Sequence, residues 1–175
     1  MTLARTLRGR VLAPHPDAPG WAVHADALLT VDDSGRISAI ADAGPDCQIP
    51  ETWPGAVVMP GFVDAHLHYP QLRVTGSASG PLLSWLSSTT FPEEERFSDA
   101  MYAGAVADEL CGALARAGTT LCSLYGSPHP HATELLFAAL DRWGLRAQAG
   151  MTLMDRDAPS GNLLAPGAAL AACRA

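Results

Sequence analysis

Apolar and polar positions follow two different patterns along this chain, and the change falls near residue 55. In residues 1–55 the pattern is that of strands. "TLRGRVLAP" alternates, and "WAVHADALLTVDDSGRISAIADAG" carries two short apolar runs around a turn at Asp33-Ser34-Gly35. Beyond that point "AVVMPGFVDAHLH" is an apolar, strand-type run interrupted by Pro60-Gly61. Residues 69–97 then show no clean period, and so long a connection in a compact domain is commonly functional. Ser98 or Asp99 is placed to cap a helix running to Ala117. Along it Tyr102, Val106, Leu110 and Leu114 recur on one face, and Gly118 supplies the stop. "TTLCSLYG" reads as a buried strand. His131 or Thr133 opens a second helix, "ATELLFAALDRW", which ends at Gly144. "LRAQAGMTLMD" reads as a third strand and "APGAALAACRA" as the start of another helix.

Two segments follow: a β-rich stretch over residues 1–55, and residues 56–175 in the order strand, long loop, helix, strand, helix, strand, helix. Helices alternating with apolar strands predict a parallel sheet with right-handed crossovers, hence an α/β fold class.

Composition narrows the function classes. The 175 residues are 48% hydrophobic and 17% charged, which is globular rather than disordered. A net charge of -7 without a basic cluster argues against nucleic acid and anionic membranes as partners. Cys47, Cys111, Cys122 and Cys173 form no C-x-x-C pair, so they read as buried thiols of a reducing compartment rather than a zinc site. The N-terminus lacks the apolar core of a secretory signal, and no apolar run is long enough for a membrane span. A cytoplasmic protein is expected.

The histidines are the candidate chemistry. Side chains at i and i+2 of a strand share a face, so His66 and His68 would present two imidazoles together, with Asp64 on the same face. They stand at the C-terminal end of the first parallel strand, the rim where α/β proteins build their sites. Two neutral imidazoles suit zinc or iron, and a nearby carboxylate can orient one of them. By itself H-x-H is as compatible with a structural pair, and catalytic zinc normally takes three protein ligands. A second H-x-H, His129 and His131, follows the second strand. His129 could overlook the same rim, whereas helix capping accounts for His131. His24, alone in a strand, reads as structural or exposed.

At these residues the chain resembles the amidohydrolase superfamily. "PGFVDAHLH" at 60–68 resembles its first-strand signature, P-G-apolar-apolar-D-x-H-x-H, and "VDDSGRISAI" leading to "VVMPG" resembles the N-terminal half of its β-sandwich. "HLHYPQL" and "GPLLSWLSSTTFPEEERF" at 80–97 are similar to guanine deaminases in particular. "AGTTLCSLYGSPH" and "AGMTLMDRDAP" resemble that family's second and third strands.

The resemblance implies an incomplete metal-dependent hydrolase TIM (β/α)8 barrel of about three β/α units, preceded by half of a small β-sandwich. His66 and His68 would be metal ligands for one zinc, with iron an alternative. Gln71 would hydrogen-bond the purine edge, and Leu83, Trp85 and Phe91 would wall the pocket; His129, from its position after the second strand, stays a further candidate to line it. The acidic "EEER" at 93–96 reads as a solvated face. The implied reaction is hydrolysis of guanine to xanthine and ammonia, with a metal-activated water and a carboxylate acid/base. That acid/base and the remaining ligands are expected beyond Ala175. The chain is therefore expected to be inactive alone, and the full-length form to be a homodimer. Two alternatives stay open: a non-catalytic chain that complements a partner, and an amidohydrolase acting on another aminated heterocycle.

Overall fold

The computed structural model describes residues 5–15, 17–47 and 51–174. The chain divides into two compact units, Met1–Pro60 and Gly61–Ala175.

In the first unit, β1 (Arg5–Pro14), β2 (Trp21–Val31), β3 (Ile37–Asp42) and β4 (Thr52–Val58) form one sheet in the order β3-β2-β1-β4. β1 pairs antiparallel with β2, and β2 with β3. Arg8 pairs with Asp26 at 2.7 Å beside them. The turn between β2 and β3 forms where the polar run predicts it. Asp32 Oδ1 accepts from the Ser34 and Arg36 amides, and Gly35 takes the left-handed conformation at φ 80°. Val11, Ala27 and Leu29 are the buried centre. β4 runs parallel to β1, with Val58 opposite Val11. Ala56–Val58 thus belong to this sheet, and the unit ends after Pro60, where the sequence pattern placed the change after residue 55.

The second unit is a three-stranded parallel sheet, β5 (Phe62–His68), β6 (Thr119–Tyr125) and β7 (Arg146–Gly150), in the order β5-β6-β7. The connection from β5 is the unpatterned stretch. It is built of short pieces: a 3-10 turn at Tyr69–Val74, helix α1 (Leu82–Trp85), a π-helical turn at Leu86–Thr90, helix α2 (Phe91–Glu95) and a 3-10 turn at Arg96–Ser98. No piece is long enough to impose a repeat, which is why none shows in the sequence. Helices α3 (Ala100–Arg116) and α4 (Pro130–Trp143) then cover one face of the sheet, and α5 (Pro166–Ala172) closes the chain.

α3 begins where Asp99 accepts from the amides of Met101 and Tyr102, at 2.8 and 3.3 Å, and stops at Gly118, whose φ of 77° favours glycine. Val106, Leu110 and Leu114 of α3 and Leu136 and Leu140 of α4 meet Cys122 and Leu124 of β6 in one core. Each such leucine contributes about 1.5–3 kcal/mol by leaving water.

The structure corrects several expectations. α4 starts at Pro130, with His129 rather than His131 or Thr133 at the cap, because proline is preorganised for the first helical position. The third strand ends at Gly150. Of the four thiols, Cys111 and Cys122 are buried, but Cys47 is half-buried and Cys173 exposed. The acidic run is not a solvated face: Glu93 and Glu94 are 8% and 6% exposed. Glu93 pairs with Arg96 at 2.9 Å and accepts from the Tyr102 hydroxyl. The Arg96 and Arg73 guanidinium groups lie over the Tyr102 ring, at 3.9 and 4.7 Å, and Arg73 reaches Glu109 at 2.8 Å. Partners on α3 and on the turn after β5 thus account for the burial of these charges.

Candidate functional site

Asp64, His66 and His68 alternate along β5, and the extended backbone turns His66 and His68 toward each other. Their Nε2 atoms are 3.3 Å apart and the rings meet edge to face at 5.1 Å. Two nitrogens bound tetrahedrally to one zinc at ~2.0–2.1 Å would lie about 3.3–3.4 Å apart. The pair therefore fits one edge of a zinc coordination tetrahedron. Asp64 steadies the strand here by accepting from the His66 amide at 3.1 Å. Tyr125, at the end of β6 opposite His68, stacks on the His68 ring at 4.7 Å and meets His66 at 5.3 Å. Burial, and the His66 ring beside it, push the His68 pKa below the usual histidine value, which keeps the ring neutral and available as a ligand.

Among the described residues no group of three or more His, Cys, Asp or Glu side chains could hold a metal ion. The two imidazoles are half of a catalytic zinc's usual tetrahedron.

Gln71 follows in the 3-10 turn Tyr69–Val74, whose second residue is Pro70. Its Nε2 lies 3.3 Å from His68 Nδ1 and donates to Glu94 Oε1 at 3.1 Å. Burial raises the Glu94 pKa, and the hydrogen bond from Gln71 opposes that rise. His66, His68, Gln71 and Trp85 line one cavity of about 270 Å³. Trp85 is steadied there by donating to Ser77 Oγ at 3.3 Å.

The other candidates stand elsewhere. Leu83 is 75% exposed and does not line this cavity. Phe91 lies outside it too; its carbonyl accepts from Asn162 Nδ2 at 3.3 Å. His129 caps α4. Its Nε2 is buried without a well-formed hydrogen bond, although the Asn162 side chain and the Glu94 carbonyl face the ring. Burial pushes the His129 pKa down, His131 lowers it further, and those two neighbours partly offset the fall. His131 Nε2 meets the Phe97 carbonyl at 3.1 Å. Sequence reasoning missed Glu94 and Tyr125. Glu94 was hidden by its acidic neighbours, and Tyr125 by the strand pattern, which does not reveal cross-strand register.

Residues 57–171 match the model of the amidohydrolase family. The chain belongs to the amidohydrolase family. Within it, the chain is similar to guanine deaminases. It is 39% identical over 151 residues to a probable guanine deaminase of Deinococcus radiodurans, covering 81% of this chain and 34% of that protein. It is 40% identical over 117 residues to the guanine deaminase of Escherichia coli, covering 64% and 27%. The crystal structure of a C. acetobutylicum guanine deaminase, with guanine bound in its active site, superposes with a TM-score of 0.85 at 26% identity, over 97% of this chain and 41% of that one. This amidohydrolase chain therefore spans about a third of the length of the curated relatives it matches. Membership implies a divalent metal. No helix among the described residues is long and apolar enough to cross a membrane.

Proposed function

We propose that this chain is the N-terminal portion of a zinc-dependent guanine deaminase, converting guanine to xanthine and ammonia when complete and inactive alone. In this reading the second unit, Gly61–Ala175, holds about the first three β/α units of a (β/α)8 barrel, and the first, Met1–Pro60, is part of a small β-sandwich. His66 and His68 would hold one zinc, or iron in its place. When bound, the metal supplies Lewis acidity that activates water. Gln71 would hydrogen-bond the purine and Trp85 would wall the pocket. A cytoplasmic homodimer is the expected full-length form.

The observation that carries the reading is the convergence of the His66 and His68 Nε2 atoms at 3.3 Å, at the C-terminal end of a parallel strand, in a cavity shared with Gln71. An amide that a bound ligand shuts off from water discriminates among heterocycles, because a ligand without the matching donor or acceptor leaves it unpaired at about 1–3 kcal/mol.

The test is ammonia release from guanine. The 175-residue chain with added zinc should release none. The same chain joined to the remaining barrel of the E. coli relative should release ammonia, and His68→Ala should abolish it. Release by the isolated chain would overturn its inactivity. A folded, zinc-loaded joined protein that ignores guanine would overturn the substrate.

A further inference from the structure

β1 loses register with both of its neighbours at the same place. Against β2, Gly9 pairs with Ala27 and Val11 with His24, so Arg10 stands opposite two residues, Ala25 and Asp26. Against β4, Arg8 pairs with Thr52 and Arg10 with Val57, so Gly9 alone stands opposite residues 53–56. The surplus residues must leave the ladder, and bulges of this kind re-aim side chains. Here they leave a recess of about 440 Å³, whose lining includes Arg8, Gly9, Arg10, Asp26 and Trp53. Gly9 has no side chain to fill it. That volume lies within the range of small-molecule sites, roughly 300–1,000 Å³. Every lining residue belongs to the first unit, and none lines the histidine cavity.

The charges of the recess do not cancel. The Arg8 guanidinium donates through Nε and Nη2 to the two oxygens of Asp26, at 2.9 and 2.7 Å, and through Nη1 to the Cys47 carbonyl. Glu51, next in sequence to the lining residue Thr52, is paired with Arg5 at 2.6 Å. Arg10 is in no ion pair with any of the described residues. One guanidinium is thus left over, on a chain whose net charge is -7. A guanidinium meets a carboxylate with two parallel N–H donors. In the same recess Trp53 is 53% exposed. Its indole offers a flat apolar wall on which an aromatic ring can stack.

We propose that this recess binds a planar aromatic monocarboxylate, with its carboxylate on Arg10 and its ring against Trp53. One free positive charge selects one negative charge. The Arg8 and Asp26 pair stays closed and ties β1 to β2 at the recess, so it neither repels the ligand nor competes for it. Binding is non-covalent and leaves every bond of the ligand intact. The site does not rest on the deaminase reading, since it uses neither the histidine pair nor Gln71.

The experiment is equilibrium dialysis of naphthoate against the 175-residue chain, with naphthamide as the uncharged probe and acetate as the ringless one. Naphthoate should fill one saturable site per chain, and neither control should fill it. Arg10→Gln should weaken naphthoate about tenfold, through loss of one charge-assisted pair, and bring it level with naphthamide. Trp53→Leu should weaken it several fold, through loss of the stacked ring. Both positions are exposed, and circular dichroism checks that each variant folds. The comparison of the three probes on the wild-type chain needs no variant at all. Naphthoate binding that is absent, equal to that of naphthamide, or unchanged in folded Arg10→Gln overturns the inference.

Discussion

The chain contains the pattern H-x-H twice, as His66-Leu67-His68 and His129-Pro130-His131, and the two copies have different fates. His66 and His68 lie on an extended strand, where a period of two brings the rings to one face and the Nε2 atoms to 3.3 Å. His129 and His131 straddle the start of α4, with Pro130 as its first residue. There the backbone is turning into a helix, and the ring centroids stand 6.0 Å apart at a tilt of 38°. One copy converges on a point in a cavity. The other splits its duties between the Asn162 side chain and the Phe97 carbonyl. Residue spacing becomes ligand spacing only through the backbone between the two residues.

The contrast can be broken or sharpened by substitution. The largest expected effect is on zinc binding by the chain joined to the remaining barrel: His66→Ala or His68→Ala should abolish it in calorimetric titration, while His129→Ala and His131→Ala leave it unchanged. Equal losses from both pairs would erase the distinction. Next is Tyr125→Leu, which removes the ring stacked on His68. The stacking should contribute about 0.5–1.5 kcal/mol to holding the imidazole, so zinc affinity should fall by a few fold to about tenfold. His131→Ala should cost about 1 kcal/mol in urea unfolding, through loss of the bond to the Phe97 carbonyl, with zinc affinity intact. The smallest effect is a pH dependence. The His129 pKa is depressed in the fold, so the folded state binds its proton less readily than the unfolded chain. Stability from this group is present above the ordinary value of 6.5 and is lost as pH falls below it through the lower folded value. Unfolding curves between about pH 8 and pH 5 should show that decline, and His129→Gln should flatten part of it.

Much of this was legible before any coordinates. The parallel strands, α3 with its Asp99 cap and Gly118 stop, and the His66 and His68 pair all rest on short-range rules that a linear pattern carries. What was not legible depended on contacts distant in sequence. Glu94 meets Gln71 across 23 positions, and nothing in "EEER" separates the member that turns inward from those that do not. Tyr125 reaches His68 only because β6 pairs with β5 in one register. The placement of Leu83 and Phe91 outside the cavity had the same origin. Resemblance assigned Leu83, Trp85 and Phe91 to a wall, while of these three only Trp85 lines this cavity.

The two arginines held at the Tyr102 ring carry a consequence for how the second unit meets a protease. Residues 69–98 contain no lysine, and Arg73 and Arg96 are their only basic residues. Both are engaged with the ring and with acidic partners, at the two ends of the connection. Leu82 and Leu83 between them are 64% and 75% exposed. Trypsin thus finds only two sites in this stretch, both at side chains held by the ring and by acidic partners, while an enzyme that cuts after large apolar residues finds Leu82 and Leu83 presented. Nicking at Leu82 or Leu83 would leave His68 and Gln71 on one piece and Glu94 on the other.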